Sequence, residues 1–177
     1  MRFYTQPMRC KNCKEKFTSN IFLMKYCSKD ECIKKFVEST KQKEWIVKKS
    51  KLKADLMTVQ DYVKIAQTHF NNYIRKRDEG LNCISCDKPP LKKNAGHYYN
   101  ANNHWNVRFD EDNVHLQCEH CNTHLSGNLI NYRENLIKKI GVKKFTQLSL
   151  ISNITAKYSI NELKEITEYY KQKIKEL

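Results

Sequence analysis

The chain has 177 residues, 40% of them hydrophobic, with a formal net charge of +14 and a pI near 9.4. That length suits one ordinary domain, or two small ones with extra support, and the charge selects polyanionic partners, nucleic acid first. No apolar run approaches the length of a bilayer-spanning helix, and the opening MRFYTQPMRC lacks the apolar stretch of a signal peptide, so the expectation is a cytoplasmic protein without a membrane partner.

Eight cysteines are many for such a protein, and disulfides seldom persist in a reducing compartment. They fall into two groups: Cys10, Cys13, Cys27 and Cys32, then Cys83, Cys86, Cys118 and Cys121. Each group contains a C-x2-C knuckle, and a thiolate quartet is the usual closed tetrahedral zinc site. Two structural Zn²⁺ ions use all eight.

Residues 1–33 are expected to form an N-terminal zinc knuckle. CKNCKEKF and YCSKDEC bracket the hydrophobic stretch IFLMKY, giving a β-hairpin with the second cysteine pair near a helix start. The metal replaces a core too small to hold itself. Residues 34–57 form a basic helical connector. Residues 1–58 hold 15 Lys and Arg against 6 Asp and Glu, so this third of the chain carries +9 of the total charge. It reads equally as a solvated helix and as a phosphate-contacting arm; no heptad is long enough for a coiled coil.

Residues 58–79 read as a helix opened by a Thr58–Asp61 capping box. Val59, Tyr62, Val63, Ala66, Phe70, Tyr73 and Ile74 form one apolar stripe, Arg75, Lys76 and Arg77 lie on the opposite edge, and Gly80 takes the C′ position. Between the second pair of knuckles, NAGHYYN and VRFDEDNVHLQC predict a hairpin. Its first strand carries His97 and its second runs from Asn113 to Gln117. A helix follows from Cys121 through NTHLSGN, completing a ββα finger over residues 58–128 together with the preceding helix. Tyr98 and Tyr99 are assigned to opposite strand faces, and His115 points away from Val114 and Leu116. Residues 129–177 supply three covering helices. Gly141 ends the first, and Ser159 and Glu162 cap the last, whose apolar face is Ile160, Leu163, Ile166, Tyr170 and Ile174.

A histidine on strand one, a loop asparagine and a final His or Asn after C-x2-C resemble the HNH, or ββα-metal, endonucleases. More closely, CISC, AGHY, RF…N.H.QC..CN.H.SGN and YIRKRD are similar to the phage NinG family, whose lambdoid member is called Rap. The N-terminal quartet with YCS..EC and the C-terminal E…YY..K helix also resemble it, so the likeness spans nearly the whole chain. It implies an α+β fold with a zinc-stabilised HNH-like core. It also implies a recombination endonuclease acting on branched DNA such as Holliday junctions and D-loops.

The chemistry of hydrolysis gives roles to the matching residues. A neutral histidine is a suitable base near pH 7, which assigns His97. Mg²⁺ or Mn²⁺ can neutralise the phosphate and stabilise the departing oxygen, and Asn122 offers a hard oxygen ligand. By resemblance Asn113 braces the loop and orients the base, and Arg108 serves as a phosphate clamp. Many HNH enzymes carry a metal-binding Asp or His directly before the base; here that residue is Gly96. Asn122 with waters and DNA phosphates, completion by His124 or His115, and loss of the ion altogether are the alternatives. Symmetric junction cutting favours a homodimer, and a recombinase is a further candidate partner. The rival readings are a non-catalytic zinc-finger DNA-binding or adaptor protein, and an RNA-cleaving HNH relative.

Overall fold

A computed structural model describes residues 7–19, 21 and 24–177. The sequence reading of residues 1–6, and of Phe22 and Leu23 within IFLMKY, falls outside them. The chain divides into two units, Met1–Met57 and Thr58–Leu177.

In the first unit, strands β1 (Met8–Arg9) and β2 (Lys16–Phe17) pair antiparallel, Met8 with Phe17 and Arg9 with Lys16. The turn between them is closed by the Cys10 amide donating to the Glu15 carbonyl (2.9 Å) and the Lys14 amide to the Cys10 carbonyl (3.0 Å). Helix α1 (Asp30–Asp55) starts with Asp30 and Glu31 in its first turn, where carboxylates complement the helix dipole. Its buried residue is Cys32, and the buried core of this unit is Cys10, Cys27 and Cys32, edged by Cys13, Phe17 and Tyr26. Among the described residues this core is mostly sulfur, and a unit this small is hard to hold by burial alone. The helix carrying Cys32 runs unbroken through the lysine-rich segment.

In the second unit, α2 (Val59–Arg77) begins with the expected capping box. The Asp61 amide donates to the Thr58 hydroxyl, and the Thr58 amide donates to the Asp61 carboxylate. The helix ends at Asp78, so Gly80 (φ +83°) lies one residue beyond the C′ position the sequence suggested. Strands β3 (Lys93–His97) and β4 (Val114–Cys118) form an antiparallel hairpin with His97 opposite Val114 and Lys93 opposite Cys118. Helices α3 (Leu129–Ile140), α4 (Val142–Ser152) and α5 (Ile160–Glu176) follow.

The hairpin is covered on both faces. Alternation sends Ala95, His97, Val114 and Leu116 to one side. There Phe70, Tyr73 and Ile74 of α2 and Tyr170 of α5 build a core around Val114 and Ala95. Gly96, His115 and Gln117 face the other side, where the hydroxyl of Tyr132, on α3, donates to the Gly96 carbonyl (2.9 Å). A second core of Val107, Tyr132, Leu136, Phe145 and Leu148 joins the β3–β4 loop to α3 and α4. Val114–Gln117 are all buried, which explains why β4 alternates in direction but not in exposure.

Three expectations need correction. No continuous helix runs from Cys121 to Asn128: His120–His124 form one π-helical turn. Ser126 (φ +49°), Gly127 (φ +91°) and Asn128 (φ +45°) then turn left-handed before α3 begins. Three successive positive φ angles cannot continue a right-handed helix. Tyr98 and Tyr99 do not split between faces. β3 has ended, alternation has lapsed, and both rings pack on the Val107–Phe145 core, 4.8 Å apart and edge to face. Arg77 is not on an outer edge; it turns inward onto Asp78 and the Val114 carbonyl. Among the described residues no helix is long and apolar enough to cross a membrane.

Candidate functional site

The eight cysteines form two clusters in which the ligand atoms lie within 4.8 Å of one another, Cys10–Cys13–Cys27–Cys32 and Cys83–Cys86–Cys118–Cys121. All eight are free thiols. A tetrahedron with Zn–S bonds of ~2.3 Å has S···S edges of about 3.8 Å, and the Cys13–Cys27 and Cys86–Cys118 sulfurs stand 3.6 and 3.8 Å apart. N–H groups converge on the sulfurs: the Cys27 amide on Cys10, the Asn12 carboxamide on Cys32, the Cys121 amide on Cys118 and the Asn128 carboxamide on Cys121. Such donors stabilise thiolates. Without a cation, burial pushes the Cys121 thiol up to about 12. The donor set fits two structural zinc ions.

The second cluster fixes one end of the β3–β4 hairpin; His97 lies at the other. Its Nε2 is 3.1 Å from the Arg108 carbonyl and 3.5 Å from the Gln67 carboxamide nitrogen. Gln67 in turn accepts from Arg108 Nε (2.8 Å) and donates to Asn71 (2.8 Å). One carboxamide on α2 thus holds the guanidinium and lies against the imidazole. Arg108 also donates from Nη1 to the Ala101 carbonyl (3.1 Å) and lies over the Trp105 ring. Its Nη2 makes no hydrogen bond among the described residues. Burial pushes the His97 imidazole down to about 4, opposed by the Arg108 carbonyl, so it is neutral at pH 7.

Asn113 is fully buried and clamps the loop that carries Arg108. Its Nδ2 donates to the Tyr99 carbonyl (3.0 Å) and the Val107 carbonyl (2.9 Å), and its Oδ1 accepts from the Tyr99 amide (2.8 Å). The structure therefore assembles His97, Arg108 and Asn113 around one loop.

Asn122 and His124 are not part of that assembly. They sit in the π turn after the Cys118–Cys121 knuckle, while His97 pairs with Val114, four residues along β4 from Cys118. At ~3.3 Å per residue that is about 13 Å of strand. Neither side chain hydrogen-bonds His97 among the described residues; His124 is exposed, its ring 5.9 Å from that of His120. Nor is the place before the base free. A Cβ on Gly96 would lie 2.1 Å from Gln117 Oε1 and 2.9 Å from Gln117 Cβ and Cδ. Gln117 is fully buried, with Nε2 donating to Ser85 Oγ (2.6 Å) and the Gly127 carbonyl (2.5 Å). Its Oε1 has no partner of the ordinary kind among the described residues and is aimed along the Gly96 Cα–H, a weak C–H···O contact. His115, the other candidate ligand, is buried at 3.5 Å from the Tyr132 hydroxyl, and burial, with Lys139 and Arg77 nearby, pushes its imidazole down to about 3. Among the described residues the His, Cys, Asp and Glu clusters able to hold an ion are the two cysteine quartets. Neither His124 nor His115 joins His97 in such a cluster.

Sequence reasoning missed Gln67, Asn71 and Asp78. Gln67 interrupts the apolar stripe of α2, between Ala66 and Phe70, and that interruption was the available signal. Asp78 is buried, accepting from Arg77 (2.9 Å twice) and from the Leu116 amide (3.0 Å), and so binds the end of α2 to β4.

The chain matches the family model described as Bacteriophage Lambda NinG protein over residues 4–177. Over 117 residues, 66% of the chain, it is 40% identical to Protein ninG of Escherichia phage lambda and 39% identical to those of Escherichia phage 933W and Salmonella phage P22. The matched stretch spans 57–58% of the length of these relatives. No solved structure matches.

Proposed function

We propose that this chain, which belongs to the NinG family, is a DNA endonuclease selective for branched recombination intermediates, with its active centre at His97 and Arg108. The observation that supports it is a neutral imidazole on the Arg108 carbonyl, with that residue's guanidinium held by Gln67 and one of its nitrogens free, on a loop pinned by Asn113. With Nε2–H given to the Arg108 carbonyl, Nδ1 holds the lone pair. It takes a proton from water as the water oxygen bonds to phosphorus and the P–O3′ bond breaks; the departing 3′ oxygen takes a proton from solvent water, leaving a 5′ phosphate and a 3′ hydroxyl, and the imidazolium returns its proton to solvent. Arg108 Nη2 supplies charge to the phosphate oxygens. The net charge of +14 raises the local concentration of DNA. Branched DNA as substrate, a homodimer matching junction symmetry, a recombinase partner and action in the host cytoplasm follow from the family resemblance and stand as part of the proposal. The HNH-like reading of the β3–β4 hairpin does so too.

The test is a cleavage panel of a four-way junction, a flap and a linear duplex, each with and without Mg²⁺ or Mn²⁺. His97→Ala and Arg108→Ala should lose cleavage by at least ~10²-fold while His97→Ala retains junction binding. Cleavage by clean His97→Ala protein at the wild-type rate removes the assignment. One observation favours the non-catalytic rival: among the described residues, no His, Cys, Asp and Glu cluster other than the two cysteine quartets gathers for an ion. A chain that binds junctions and cuts none of them under any of these ions is that adaptor.

A further inference from the structure

From Lys41 to Leu56 the chain has no buried residue, although this is the outer part of a 26-residue helix. An isolated helical segment of this length is marginal in water. It carries large exposed apolar groups: Trp45 is 54% exposed, Ile46 56% and Val47 67%. The charge on the segment points to what covers them. Residues 41–55 hold six lysines against two acids, Glu44 and Asp55. Lys41, Lys48 and Lys49 stand four before, three after and four after Trp45, hence on its face of the helix. None of the three makes an ion pair among the described residues; the pair on this helix is Lys35–Glu38. An indole set among unpaired ammonium groups suits a ligand with negative charge along its backbone and flat apolar faces to stack. Unpaired nucleotides have both, whereas in a duplex the base faces are already stacked. A second copy of α1 would bring like charges together.

We propose that Trp45, with Lys41, Lys48 and Lys49, is a stacking site for an unpaired base of single-stranded or branched nucleic acid. The inference rests on the nucleic-acid reading above and deepens it, by placing recognition of unpaired strand on α1.

The protein has two tryptophans, Trp45 and Trp105, so Trp105→Phe in the full chain leaves Trp45 as the reporter. Without divalent ions, oligo-dT should quench that emission, and a duplex of equal length should not. Trp45→Ala should weaken oligo-dT binding about 10-fold and duplex binding less than about 2-fold. Trp45→Phe, which keeps a stacking ring, should stay within about 3-fold of wild type. Replacing the three lysines by Gln should reduce the salt slope of single-strand binding by about 2. Unquenched Trp45 at saturating oligo-dT overturns the proposal, as does equal loss on both DNAs, or a dimer that Trp45→Ala turns into monomers. If junction cleavage persists in that case, the endonuclease reading survives; a chain that binds no nucleic acid removes both.

Discussion

Gly96→Ala should be far more damaging than a single methyl suggests. The added carbon would stand 2.1 Å from Gln117 Oε1, so the carboxamide must swing away by more than an ångström. That swing gives up the Nε2 bonds to Ser85 and Gly127, each contributing about 1 kcal/mol. Gln117 Cβ, at 2.9 Å, cannot rotate out of the way, so strand β4 must also shift, and overpacking of this kind costs ~1–3 kcal/mol. The total is about 3–5 kcal/mol, which for a unit of this size lowers Tm by roughly 10–20 °C. Thermal and urea unfolding of wild type, Gly96→Ala, Gln117→Ala and the double variant measure it. The double variant should be at least ~2 kcal/mol more stable than the sum of the single losses implies. A Gly96→Ala protein melting within about 2 °C of wild type, or strict additivity, would refute the idea that Gln117 fills the place of a side chain at position 96. The same packing predicts that Gly96→Asp will not install a metal ligand in an otherwise unchanged chain.

Metal analysis should find two zinc ions per chain. Strong chelation should unfold the first unit, whose buried core is cysteine; one ion or fewer, or a chelated protein with unchanged circular dichroism, would contradict this. Stability should fall as pH drops through the 6.5–4 window, because His97 (about 4) and His115 (about 3) are buried neutral and the unfolded chain binds their protons first. The His97 part alone is about 3 kcal/mol, and equal urea midpoints at pH 7 and 4.5 would exclude it. Asn113→Ala strands the Tyr99 amide and carbonyl, leaves the Val107 carbonyl with the Asp110 amide alone, and should cost ~2–4 kcal/mol. A loss below ~1 kcal/mol in urea unfolding would show that the loop does not depend on it.

Local signals in the sequence carried over into structure. The capping boxes at Thr58 and Ser159, the apolar faces of α2 and α5 and the left-handed Gly141 are set by residues within four positions of one another. The cysteine quartets were legible because a shared ligand type marks partners across 31 intervening residues. The hairpin, with His97 on its first strand, followed from alternation between the knuckles; the register that sets His97 opposite Val114 did not. What stayed hidden depends on contacts between distant segments. Nothing near Gly96 announces that Gln117 fills its empty side, and nothing near Arg77 shows that Asp78 and the Val114 carbonyl draw it inward. The helix expected after Cys121 failed, and its sequence argued against it: NTHLSGN holds one strong helix former, Leu125, and the turn that breaks it is anchored by a Gly127 amide bond back to the Cys121 carbonyl. His97 and Asn122 are close in a family pattern; here about 13 Å of β4 lies between the level of His97 and the knuckle that Asn122 follows.

The Tyr99 amide is given to an oxygen of a side chain without any exposed surface. Its hydrogen can therefore meet solvent only when Asn113 leaves the interior. In a hydrogen-exchange experiment this surface-loop amide should be among the slowest in the molecule, exchanging with the free energy of opening the whole second unit rather than with the fast rate of a loop. A loop built this way has no private breathing mode: its stiffness is that of the interior to which it is riveted.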